Sequence, residues 1–215
     1  MALRRPFGRG KGGADDESAG GAIDWLIVGL GNPGREYDGT RHNVGFAVAE
    51  ELVRRWGLRR GKDRFRARLA EGRVGGAAAI GELGRAPVRV AVLEPQTYMN
   101  DAGRSVGPAR GSYKLAPERV LVVHDEIDLP FGDVRARVGG GLAGHNGLKS
   151  LARELGTSEF ARVRVGVGRP ESSDPEIVSA YVLGRFREER ASVQELIERA
   201  ADEVERVVLG GGSPG

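Results

Sequence analysis

The stretch that most constrains the fold runs from Ile23 to Gly57. It opens with a short apolar run, Ile23 to Leu30 (IDWLIVGL), which halts at Gly31. A run of this length, apolar from Trp25 onward, reads as a buried strand of a parallel or mixed sheet. Turn-forming residues follow, from Gly31-Asn32-Pro33-Gly34 to His42-Asn43. Then Val44, Val48, Leu52 and Trp56 fall at helical spacing, and Ala47 and Val53 widen the stripe. Asn43 is placed to cap that amphipathic helix and Gly57 to end it. A buried strand, a polar loop and a packed helix are the opening unit of a layered α/β fold.

The rest of the chain repeats the pattern. Phe65 to Val74 and Ala77 to Leu83 read as a strand pair about Gly75-Gly76, which makes the sheet mixed. Val88 to Leu93, Val120 to Val123, Val134 to Val138 and Ala161 to Val167 read as further strands. Helices are expected over residues 102–115, despite Gly107, Pro108 and Gly111, over 146–155 before Gly156, and over 188–209. The expected fold is a single-domain three-layer α/β/α with a twisted mixed β-sheet over residues 23–209. Residues 1–22 hold almost no large apolar groups and read as a disordered tail; residues 210–215 read as a flexible end.

Composition narrows the chemistry. The 215 residues include no cysteine, which removes disulfides, thiolate metal sites and cysteine nucleophiles and agrees with a cytoplasmic protein. No run reaches the roughly 20 apolar residues of a membrane span. The net charge of +3 permits a polyanionic partner without requiring one.

In open α/β sheets ligands bind beyond the carboxyl ends of the strands. The polar residues there are Asn32, Tyr37 and His42 after the first strand, and Tyr98, Met99 and Asn100 after Val88–Leu93. His124, Asp125, Glu126 and Asp128 follow Val120–Val123, and His145 and Asn146 precede a helix. A histidine suits proton abstraction from water near neutral pH. His42 stands before a helix start, whose positive end disfavours the imidazolium. Asp125 can fix its tautomer, and Asn100, Asn32 and Asn146 can donate to an oxyanion or hold a carbonyl and a water. The one G-x-S-x-G match, Gly103-Arg104-Ser105-Val106-Gly107, falls inside the helix expected over 102–115 and not at a strand-to-helix elbow, so attack by a His-activated water is more economical than a covalent route.

Each assignment has an alternative. His42 can be a hydrogen-bonding residue, Asp125-Glu126-Ile127-Asp128 a solvated acidic turn, and Asn32 and Asn100 turn residues. His124 reads as structural, His145 as supporting and Met99 as packing. Gly29-Leu30-Gly31-Asn32-Pro33-Gly34 imitates a dinucleotide fingerprint, but Pro33 and the long loop delay the helix, and Glu50 and Glu51 fall inside it. His42, Asp125 and His145 can in principle meet a cation, yet no HExxH motif is present. For polyanions, Arg135 with Arg137, and Arg162 with Arg164, share strand faces, and the helix N-terminus behind Gly139–Gly141 is a phosphate cradle. Solvated strand faces are the alternative for those arginines.

GLGNPGREYDGTRHNVGF, EPQTYMNDAG, HDEIDLPFG and GGGLAGHNGLKSL together resemble the bacterial peptidyl-tRNA hydrolases, from about Trp25 to Val207. The resemblance implies a monomeric, cofactor-free and metal-free esterase that cleaves the bond between a peptide and tRNA. His42 would be the base, Asp125 its orienting partner, and Asn100 the group positioning water and carbonyl. Asn32 would distinguish a blocked peptide, while Tyr37, Tyr98 and Asn146 would contact the tRNA end or peptide. Arg135, Arg137 and Arg164 would hold tRNA phosphate, two of them where the family often carries lysine. A non-catalytic RNA-binding relative is the competing reading, and the intact His42, Asp125 and Asn100 favour the enzyme.

Overall fold

The computed structural model describes residues 22–75 and 86–210. The expected tail at 1–22 (Ala22 excepted), the expected strand at Ala77–Leu83 and the expected end at 210–215 (Gly210 excepted) lie outside them.

Among the described residues seven strands form one mixed sheet: β1 (Trp25–Gly29), β2 (Arg59–Arg60), β3 (Ala67–Val74), β4 (Val88–Pro95), β5 (Val120–Glu126), β6 (Val134–Val138) and β7 (Ala161–Gly166). Their spatial order is β2-β3-β4-β1-β5-β7-β6. The central strands β4, β1, β5 and β7 run parallel, while β3 pairs antiparallel with β4, β2 with β3, and β6 with β7. Among the described residues the five α-helices are α1 (Val44–Arg55), α2 (Gly103–Tyr113), α3 (Asn146–Leu155), α4 (Pro175–Leu183) and α5 (Arg190–Gly210). The mixed α/β expectation therefore holds.

Both sheet faces are covered. Ile27, Val90, Val92, Leu121, Val123, Val163 and Val165 point to one face and pack with Val48 and Leu52 of α1 and Leu196 and Val204 of α5. Leu26, Val28, Ala91, Leu93, Val120 and Val122 point to the other and pack with Val106 of α2 and Leu148 and Leu151 of α3. This alternation is the period of two in each strand expressed as two cores. Gly45 sets the closest approach of α1 to the sheet. A Cβ there would lie 2.5 Å from the backbone N and O of Leu30 and from the O of Val123, so any side chain forces the layers apart.

β3 pairs antiparallel with β4, with Val74 opposite Val88, while the hairpin partner expected beyond Gly75-Gly76 lies outside the described residues. β5 runs further than its apolar letters suggest. His124, Asp125 and Glu126 are buried within the strand and paired to Arg164, Val165 and Gly166 of β7, so the expected acidic turn begins only after them. Between β7 and α5 the chain adds α4, which the sequence reading lacks. Its start signal is there in Asp174, whose side chain accepts from the Glu176 N–H, with Pro175 at the first helical position.

The chain leaves β1 over one face through α1 and returns over the other through α2, so its neighbours β4 and β5 lie on opposite sides of it. The carboxyl ends of β1, β4 and β5 thus meet at a topological switch point, where a crevice opens.

Candidate active site

A cavity of about 800 Å³ fills that crevice. It is lined by the polar residues Asn32, His42, Asn100, Asp125, His145 and Asn146 and by Tyr98, Met99, Ile127 and the α4 residues Val178, Val182 and Leu183. The residues singled out after four different sequence runs therefore converge on one volume.

His42 lies in a single 3-10 turn, Arg41–Asn43, that feeds directly into α1. The backbone of this turn is fixed from the β1 side by Asn43. Its Oδ1 accepts from the Asn32 N–H at 2.8 Å and its Nδ2 donates to the Asn32 carbonyl at 2.9 Å. Asn43 therefore does not cap α1, as its position before the helix suggested; its amide matches both backbone groups of Asn32 and ties the β1 loop to the helix start. Asn32 is itself buried. Its Oδ1 accepts from the Met99 N–H at 2.8 Å, which leaves the amide N–H groups as its donors toward the cavity.

Asp125 is the centre of the polar residues. Its Oδ1 sits 2.9 Å from His42 Nδ1 and 3.0 Å from His145 Nε2. His145 Nδ1 accepts from the backbone N–H groups of Gly147 and Leu148, at 3.1 and 3.4 Å, as the N-cap of α3. That nitrogen is thus unprotonated, and His145 must donate to Asp125 through Nε2–H. The same bonds occupy the helix terminus, so the phosphate cradle expected there is already filled by an imidazole. His124, the third histidine of the chain, is fully buried and its Nδ1 donates to the Asp125 carbonyl at 2.8 Å. Burial, reinforced by the neighbouring His145, pushes His124 down to about 3, which keeps it uncharged. It is structural, as expected, and its role is to seat Asp125.

The electrostatics follow from this seating. Burial opposes charge on Asp125, but the two histidines donating to it outweigh that and hold its carboxyl well below the ordinary carboxylate range. Burial pushes His42 down, and the charge of Asp125 together with its hydrogen bond more than reverses this, so His42 titrates above its ordinary value. The carboxylate, rather than the following helix end, governs the ring. Nδ1–H donates to Asp125, which leaves Nε2 as the basic nitrogen.

His42, Asp125 and His145 place one candidate ligand atom each within 4.8 Å of one another. His145 has no lone pair to give while it holds α3 and Asp125 together, so these side chains are spent on one another. They fit a hydrogen-bonded triad better than a cation site.

The remaining residues divide. Asn100 lies in the 3-10 turn Met99–Asp101 and is exposed to the cavity, with its carbonyl held by Arg153 Nη2 at 3.4 Å. Asn146 opens α3 and Tyr98 stands 58% exposed at the lip. Tyr37 meets Tyr98 edge-on at 6.4 Å and stands behind it rather than in the cavity wall. Arg135, Arg137 and Arg164 do not line the cavity: the first two lie on the edge strand β6, and Arg164 lies on β7 beside the cavity-lining Glu126. Arg135 faces Arg164 and Arg137 faces Arg162 across the pair. Arg135 is exposed and bonds Asp133 at 3.1 Å; Arg164 bonds Glu126 at 3.0 Å and is partly exposed. Arg162 is not part of that surface. It is buried and donates to the carbonyls of Gly140, Gly141 and Ser158, which holds the glycine loop in place.

Sequence reasoning missed Arg41, the α4 wall and the second role of Asn43. A buried aspartate orienting a histidine at the switch point of an α/β sheet, with amides around it, defines a hydrolase-type acid–base site. Residues 26–213 match the family profile described as peptidyl-tRNA hydrolase. Relatives bearing that name include one from Geobacillus thermodenitrificans, 45% identical over 85% of this chain and 92% of that one. Another, from a Mycobacterium species, is 47% identical over 88% of this chain and 93% of that one. A crystal structure of peptidyl-tRNA hydrolase from Acinetobacter baumannii superposes with a TM-score of 0.73 at 38% identity, covering 89% of this chain and 92% of that one. The chain belongs to the peptidyl-tRNA hydrolase family.

Proposed function

We propose that the chain hydrolyses the ester joining a peptide to the ribose of tRNA, which frees the tRNA for reuse in translation. The observation that carries the reading is the 2.9 Å contact between His42 Nδ1 and the buried Asp125 carboxylate. It leaves Nε2 to take a proton from water as the water oxygen attacks the ester carbonyl. Negative charge then develops on the former carbonyl oxygen, where the amides of Asn100, Asn32 and Asn146 can donate. Collapse of the tetrahedral species breaks the bond to the ribose oxygen, and His42 returns its proton to that leaving group. Asp125 stays ionised and stabilises the imidazolium between the two steps. His145 acts as a second donor that keeps Asp125 charged and oriented.

The cavity has room for an acyl chain and the terminal ribose. Tyr98 at the lip, with Tyr37 behind it, offers an aromatic face for the terminal base or a peptide side chain. Arg135, Arg137 and Arg164 supply charge for the phosphates of the acceptor arm. We assign the reaction to a single copy of the chain, because Asn32, His42, Asn100, Asp125, His145 and Asn146 all come from it. A cytoplasmic location agrees with where peptidyl-tRNA arises; among the described residues no helix is long and apolar enough to cross a membrane. The test is release of N-acetylated amino acid from tRNA by the purified protein. Turnover is expected; binding of tRNA without turnover would make the chain a non-catalytic RNA-binding relative.

A further inference from the structure

α4 buries none of its residues, so apolar burial does not fasten it to the fold. It nevertheless forms a wall of the cavity. What fastens it is Arg41, the residue before His42, whose side chain is only 5% exposed. Its Nη1 donates to the carbonyl of Arg185 at 2.8 Å and to that of Gly184 at 3.5 Å, just beyond the end of α4. Its Nη2 reaches both carboxylate oxygens of Glu188, at 3.3 and 3.2 Å. The guanidinium lies 4.3 Å from the ring centre of Tyr181 in α4. Backbone bonds repeat the link: the Arg41 N–H donates to Gly184 and the Phe186 N–H to Gly39. The Tyr181 hydroxyl in turn donates to the Val167 carbonyl at 2.7 Å, tying α4 back to the end of β7.

Fixing a long arginine in one rotamer costs side-chain freedom. An apolar residue can fill such a site with no loss of stability, so stability alone does not call for this ion pair. The fork does what an apolar residue cannot: it sets one distance, from α4 to the turn that carries His42. We propose that Arg41 is a positioning residue that sets the gap between the α4 wall and His42, and thereby seats the acyl chain beyond its first residue. This rests on the hydrolase reading. A substrate carrying one acetylated amino acid ends near His42, whereas a longer peptide reaches Val178, Val182 and Leu183.

The experiment is steady-state kinetics on N-acetyl-aminoacyl-tRNA and on a pentapeptidyl-tRNA, for the wild type, Arg41→Lys, Glu188→Gln and Tyr181→Phe. All three variants loosen α4 and leave the His42–Asp125 bond untouched. KM for the long substrate is expected to rise about tenfold relative to the short one in Arg41→Lys and Glu188→Gln, and about threefold in Tyr181→Phe, the loss of roughly one charge-assisted hydrogen bond and of a neutral one. kcat and the acid limb of the pH profile stay unchanged. Equal losses on both substrates in Glu188→Gln and Tyr181→Phe, or a fall in melting temperature alone, would overturn the proposal even if Arg41→Lys failed to fold. A displaced acid limb would also overturn it, because Arg41 would then act on the charge of His42. A wild type inactive on both substrates would overturn the hydrolase reading itself and this proposal with it.

Discussion

Replacing Asp125 by asparagine keeps the shape of the buried group and removes its charge. In the wild type the single oxygen Oδ1 serves His42 and His145 at 2.9 and 3.0 Å. In the transition state the His42 ring carries a positive charge whose centre is about 4 Å from that oxygen, an attraction of about 4 kcal/mol at an effective dielectric of 20. Losing it slows kcat about 10³-fold, since each 1.4 kcal/mol is a factor of ten. KM, set elsewhere in the cavity, stays within about threefold. The pH profile supplies a second readout with a definite sign. Asp125 is what raises His42 above 6.5, against burial. Wild-type kcat/KM therefore falls off on the acid side above pH 6.5, and in Asp125→Asn burial acts unopposed and moves this limb below it. Stability follows the same linkage. A raised folded pKa on His42 contributes stability fully present below 6.5 and lost as pH rises through the folded value. The melting-temperature gap between wild type and variant is therefore wider at pH 5.5 than at pH 8. The assay is release of N-acetylated amino acid from tRNA between pH 5 and 9. A loss under about tenfold with an unmoved limb would refute the assignment of Asp125.

Three further outcomes are expected. Gly45→Ala places a methyl against three backbone atoms of Leu30 and Val123 and should lower stability by about 3 kcal/mol, or about 6–12 °C in melting temperature; an unchanged calorimetric trace would contradict the close approach of α1. Arg137→Ala should weaken tRNA binding and reduce the slope of log K against log salt by about 0.7–0.9; an unaltered slope would mean that Arg137 meets no phosphate. Prolonged chelation should leave turnover intact, because His145 already commits both ring nitrogens; loss restored by a divalent cation would make His42, Asp125 and His145 ligands instead.

Elements that bury a face were legible in the sequence. The apolar run of β1, the compact core of β5 and the helical spacing of α1 and α5 each state where their side chains go, since burial imposes a period of two or of 3.6. The site was legible for a related reason. Loops beyond the carboxyl ends of parallel strands gather at one rim, so His42, Asn100 and Asn146 on those loops and Asp125 near the end of β5 fall together there. What stayed hidden depends on partners distant in the chain. α4 shows no periodicity because it packs no face into the core. Nothing local tells that Asn43 matches the backbone of Asn32 rather than capping α1. The bonds of Arg41 to Gly184, Arg185 and Glu188 span most of the chain. His145 showed its position but not its chemistry, since only geometry reveals that one nitrogen caps α3 while the other serves Asp125.

The central claim is that His42 Nε2 is the base, and its most direct test is His42→Ala. The side chain is only 12% exposed and its removal leaves Asp125 still held by His145, so the fold is retained. Turnover of N-acetyl-aminoacyl-tRNA at pH 7.5 should fall about 10²–10⁴-fold through kcat, with tRNA affinity unchanged. Turnover within a few-fold of the wild type would contradict the account.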